Sequence, residues 1–135
     1  MTGSSLALQQ AVVAALSADS GLLAALGGPR LYDDTPQPPS FPYVTIGQTT
    51  IRASDGDLAP ADEHIFTLHV WSRAKGRREA LAIIGELCRA LHDQPLPLTG
   101  HRLVNLRHDF SEARRERDGD TIHGIARFRA VTEPL

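Results

Sequence analysis

Cysteine and lysine are nearly absent from this chain, and each shortage excludes something. A lone cysteine, Cys88, cannot form an internal disulfide and leaves no CxxC pair for zinc or redox chemistry. Its place among helical apolar positions predicts a small core hydrophobe. Lys75 is the single lysine against thirteen arginines, a bias that a GC-rich genome explains as readily as a need for bidentate guanidinium contacts. An excess of positive charge is also missing. The formal net charge is −2, which argues against a protein whose main business is gripping nucleic acid through a basic face. No apolar run approaches the roughly 18 residues that span a bilayer, so no membrane partner is predicted. No basic stretch precedes Leu6 as it would in a secretory signal, and synthesis in the cytoplasm is expected.

The motifs of catalysis are missing as well. The sequence has no glycine-rich phosphate loop, no GxSxG, no HExxH and no EF-hand spacing. Asp55-Gly56-Asp57 lacks the third early ligand and the distal bidentate glutamate of a calcium loop, and reads as solvated turn residues. His64 and His69 fall on opposite faces of a strand, as do His101 and His108, and the last hairpin separates His108 from His123. Such pairs cannot converge on a metal. Asp33-Asp34 and Asp62-Glu63 sit in loops or at strand ends, where solvation explains them. No catalytic residue, cofactor-binding residue or metal ligand is predicted.

What is present is a strong alternation of helix and strand signals. At 135 residues one domain is the prior, with roughly two-thirds of the unfolded surface buried. Ser4 or Ser5 is a suitable N-cap for an N-terminal helix with an apolar stripe through Leu6, Val13 and Leu16. A second short helix, GLLAALGG, closes on Gly27 and Gly28. Next comes Leu31 to Gly47, LYDDTPQPPSFPYVTIG, whose four prolines exclude helix and favour extended backbone. Strands are predicted over Tyr43–Ile51, with Val44 and Ile46 on one face, and over Glu63–Trp71, with Phe66, Leu68 and Val70 on one face. The intervening RASDGDLAPAD reads as an eleven-residue loop, longer than a reversal needs. REALAIIGELCRALHD is the strongest helix, with Ala80, Ile83, Ile84, Leu87, Cys88 and Leu91 in register, and Gly85 is explained by close packing on a sheet.

Two strands follow, about Arg102–Ala113 and Thr121–Val131. A two-residue Asp118-Gly119 turn would set Phe110 opposite Arg127. A three-residue loop with Gly119 in the left-handed position instead groups Val104, Leu106, His108 and Phe110 with Ala126, Phe128 and Ala130, and sets Asp109 opposite Arg127. The hydrophobic pattern selects the second register. The order α-β-β-α-β-β predicts an α+β fold: an antiparallel sheet of about four strands with helices on one face. Within SEARRERDGD, charges of both signs interleave, which suits either a solvated hairpin tip or a contact with a neighbouring subunit.

Taken together, these segments resemble the tail-terminator, or tail-completion, proteins of siphovirus-like phages and bacterial gene transfer agents. The resemblance covers nearly the whole chain: the N-terminal helical segment, the RLYDDTPQPPSFPYVTIG connector, the HIFTLHVWSR strand, the GRREALAIIGELCRALHD helix and the closing strand pair. It implies a structural protein, not an enzyme, that assembles with itself as a ring, commonly a hexamer. Such a ring caps the tail tube protein, stops its polymerisation and joins it to the head-side connector, with DNA passing through. The product would reside in the tail of a phage or phage-like particle. A ring needs two different complementary patches per subunit. The basic run Arg114, Arg115 and Arg117 and the acidic residues Asp55, Asp57 and Asp62 are the candidates. The alternative from a different class is a small monomeric or dimeric binding or regulatory domain on the same sheet.

Overall fold

The computed structural model describes residues 3–35, 37–55 and 60–135. The N-terminal run forms α1 over Ser4–Ser17, but its N-cap is Gly3, and Ser4 Oγ is used elsewhere, donating to Asp62 at 2.7 Å. Its buried face is Ala7, Leu8, Ala11, Val12 and Leu16, while Leu6 is 52% exposed, so the predicted stripe was rotated about the axis. With apolar residues nearly all round, hydrophobic periodicity is a poor guide to which side packs. The next helix, α2 (Ser20–Leu26), is capped by the Asp19 carboxylate, which accepts from Leu22 N at 2.9 Å. Gly27, in the left-handed region at φ 77°, ends it, and Gly28 N reaches back to Leu23 O.

Five strands follow instead of four: β1 (Leu31–Tyr32), β2 (Tyr43–Asp55), β3 (Pro60–Ser72), β4 (His101–Arg115) and β5 (Ile122–Pro134), with the helix α3 (Arg78–Leu91) between β3 and β4. They form one sheet in the order β1-β2-β3-β5-β4, antiparallel except for β1, which runs parallel to β2 at Val44 and Thr45. The architecture is the α+β arrangement read from the sequence, with a mixed sheet. The proline connector carries the chain from β1 back to the start of β2, and Arg30 Nη1 clips it by donating to Phe41 O at 2.9 Å.

Two expectations about this sheet need correction. The stretch from Arg52 to Asp62 is not an eleven-residue loop, because the β2–β3 ladder continues through Arg52↔Glu63 and Ala53↔Asp62 to Asp55↔Pro60. The segment RASDGDLAPAD has the polar, Asp-, Gly- and Pro-containing composition of a loop, without the apolar alternation that marks a strand. In the last hairpin the chosen register holds only from Asn105 to His108, where Leu106 faces Ala130 and His108 faces Phe128. Bulges between Leu103 and Asn105 and between His108 and Phe110 shift it on either side. Val104 is therefore 47% exposed, and Phe110 lies opposite Arg127 on the outer face, where it stacks under that guanidinium. The first bulge also brings His101 to the same face as His108, against the simple alternation.

The three helices cover one face of the sheet. Leu16, Val44, Leu68, Ile83, Leu87, Leu91, Ile122 and Phe128 are fully buried between them, each contributing roughly 1.5–3 kcal/mol of hydrophobic stabilisation. Gly124 lets α3 approach: an added methyl there would press on Ile84 and Val70 at 3.1 and 3.2 Å. Gly85 has no such role, since nothing lies within 4 Å of a methyl placed on it. The opposite face of the sheet carries no helix; Ile65, Thr67, His69, Trp71 and Ile125 are half-buried on it, and Tyr43, Thr45 and His123 are buried among them.

Candidate subunit interface

The β4–β5 connection spans residues 116–121 and is closed by Glu116 N to Thr121 O at 2.8 Å, with Gly119 at φ 78° as the turn requires. Asp118 organises it. Its carboxylate accepts from the Thr121 hydroxyl at 2.7 Å and from the Thr121 and Asp120 amides at 2.9 Å. These bonds hold the carboxyl below its ordinary range, the Thr121 side chain contributing most.

The three candidate arginines separate on this frame. Arg114, opposite His123, lies on the helix-free face 3.7 Å from Glu116 and 3.9 Å from Glu112. Arg115 is opposite Ile122 and donates to Gly119 O at 3.0 Å. Arg117 stands in the tip and makes no ion pair or side-chain hydrogen bond among the described residues.

The acidic candidates lie at the other end of the sheet. Asp55 closes β2 against Pro60, and Asp62 sits on β3, where it holds the start of α1 through Ser4. Asp57 lies outside the described residues. Because Asp62 pairs with Thr132 and Ser72 with Ile122, the two hairpin tips are separated along β3 by about 33 Å, taking the usual rise per strand residue.

Beside the basic tip is an arrangement that pairing within single strands could not reveal. Trp71 stacks on His123 with ring centroids 4.0 Å apart and planes within 9°. Its indole N–H donates to Thr45 Oγ1 at 3.0 Å, and Tyr43 extends the stack at 6.3 Å. His69 and His123 meet at 2.7 Å between Nδ1 and Nε2, and His123 Nδ1 lies 2.9 Å from Glu116 Oε1. One proton assignment satisfies all of these contacts. Glu116 accepts from His123 Nδ1–H, which leaves Nε2 to accept from His69 Nδ1–H. Burial pushes both imidazoles below their ordinary pKa, so both are neutral at pH 7. The readable signal was the i, i+2 spacing of His69 and Trp71; their union with His123 needed the β3–β5 register.

Between this stack and the proline connector opens a cleft of about 490 Å³. Phe41, Tyr43 and Trp71 form an aromatic wall beside Pro39, with Arg73 stacked over Phe41 at 4.4 Å, and Arg117, Asp118 and Thr121 also line the cleft. A separate apolar gap under α1, near Leu8, Val12, Ile46 and Phe66, has room for little more than a water, at about 20 Å³. Among the described residues no group of three or more His, Cys, Asp or Glu side chains converges as a metal site.

A charged hairpin tip, an aromatic cleft and a helix-free sheet face are surfaces suited to contact with other chains. The model of the tail completion protein gp17 family matches residues 10–133, and the chain belongs to that family. It is similar over 98% of its length, at 30% identity and a TM-score of 0.88, to a chain of the virion of a native gene transfer agent particle, of which it covers 99%. It is also similar to the gp17 protein of bacteriophage SPP1, at 25% identity and a TM-score of 0.64, covering 93% of this chain and 88% of that one. No curated protein sequence matches the chain. The protein is a structural tail-completion component of the phage and gene-transfer-agent type, not an enzyme.

Proposed function

We propose that the protein closes into a ring, of six copies, on the end of a finished tail tube. There it stops polymerisation and offers the surface to which the head-side connector attaches, with DNA passing through the opening. The observation that carries this reading is the near full-length likeness to a chain of an assembled virion. The placement of the charged tips supports it. A ring closes through heterologous contacts, which require two different patches on each subunit, and the basic and acidic tips occupy opposite ends of the sheet. A net charge of −2 per subunit also suits transit of DNA, because like charge keeps the phosphate backbone from adhering to the wall.

Particle cryo-electron microscopy tests the assignment, and the expected result is a sixfold layer of this chain between tube and connector. Its absence from that layer overturns the reading. Charge reversal at Arg114 and Arg115 together is expected to weaken ring formation in negative-stain images; unchanged assembly removes those two residues from the interface.

A further inference from the structure

We infer that the cleft between the proline connector and the β4–β5 tip is a socket for the β2–β3 hairpin tip, residues 55–60, of a neighbouring copy. The inference rests on the ring reading and adds what the two patches are made of. Three observations converge on it.

The first is the chemistry of the cleft. Its two acids are already satisfied within the subunit, Asp118 by the Thr121 and Asp120 donors and Glu116 by His123 and Arg114. Its cations are not. Arg117 has no ion pair among the described residues, and Arg73 is held by stacking on Phe41 and a single bond to Thr121, with Asp118 no nearer than 4.0 Å. The cleft therefore presents two guanidiniums beside an aromatic wall of Phe41, Tyr43 and Trp71. Such a wall accepts proline and leucine, while the guanidiniums accept carboxylates.

The second is the composition of the opposite tip. The segment Asp55-Gly56-Asp57-Leu58-Ala59-Pro60 carries two carboxylates, one leucine and one proline, which are the groups the socket would take. Basic residues are absent from it, so nothing in the tip repels Arg73 or Arg117, and the socket's own carboxylates are already engaged by Thr121, Asp120, His123 and Arg114. The third is position: tip and socket lie at opposite ends of β3, so a subunit cannot fill its own socket, and head-to-tail contact follows.

The test uses two full-length variants and their mixture, on purified tail tubes. The socket variant is Arg73→Glu with Arg117→Glu, and the tip variant is Asp55→Lys with Asp57→Lys. Alone, each places like charges across every contact and is expected to lose at least tenfold in ring population by negative-stain counting. Mixed one to one, they form only opposite-charge contacts, so rings are expected to return, with the variants alternating by native mass spectrometry. Trp71 is the sole tryptophan and lines the socket, so its emission is expected to shift to the blue in the mixture and not in either variant alone. Recovery on mixing cannot come from misfolded chains. Wild-type rings that are matched by either variant alone, or that the mixture fails to restore, overturn the socket while leaving the ring intact. Failure of the wild-type protein to form rings on tubes overturns the ring reading itself.

Discussion

A methyl group added at Gly47 would collide with the His69 imidazole and come within 3.1 Å of Thr67 O. That close approach is what lets His69 lie flat beneath its neighbours and meet His123. Gly47→Ala is therefore expected to destabilise the protein by about 1–3 kcal/mol, the usual cost of overpacking a filled site, measured as a lower urea midpoint. Because His123 stacks on Trp71, the same variant should also change the tryptophan emission of the native state, which a remote loss of stability would not. At this scale the sequence was legible in types and not in partners. His69, Trp71 and Glu116 are each visible as residues that want hydrogen bonds, but His123 joins them from β5. No local spacing announces a contact that depends on how two distant strands align.

Periodicity is clearest in α3, where Ala80, Ile83, Ile84, Leu87 and Leu91 are buried as their spacing predicts, with Cys88 half-buried among them and Leu81 left outside. Within it, Gly85 is a pure helix cost. Gly85→Ala is expected to stabilise the protein by about 1 kcal/mol in urea unfolding, since the added methyl meets nothing. The alternating faces of β3 are equally plain, because Phe66, Leu68 and Val70 are buried and Ile65, Thr67, His69 and Trp71 between them are only half-buried, whereas in β2 Tyr43, Val44 and Thr45 are all buried. Three elements resisted for physical reasons. Alanine and leucine surround α1, so nothing in the pattern favoured Leu8 over Leu6. The two residues of β1 are too short to show a period and acquire strand character only by pairing with Val44 and Thr45. The bulges in β4 carry no glycine and fall at Val104 and Asp109, residues that a regular strand would accept.

Across the whole molecule, three histidines share one direction of titration. Burial pushes His64, His69 and His123 below their ordinary values, and His64 is completely buried with Nδ1 lacking a partner. The unfolded chain, titrating near pH 6.5, then binds more protons than the folded one as the solution is acidified. Stability is fully present above pH 6.5 and is lost as pH falls from there toward the depressed folded values. The urea midpoint is expected to drop between pH 7 and pH 5, and His64→Gln, which removes one titrating group, should flatten that slope. A midpoint that rises on acidification would contradict the neutral assignment of these rings.

One strand links the two ends of the subunit. β3 begins beside the acidic tip and ends at Trp71 and Ser72 beneath the socket, paired along its length with β2 and β5. In a ring built from these contacts, it acts as a single stiff spar between the two joints of each subunit. The twist of that spar would fix the wedge angle between successive copies, so the number of subunits that closes the circle would be a property of the sheet more than of either contact surface.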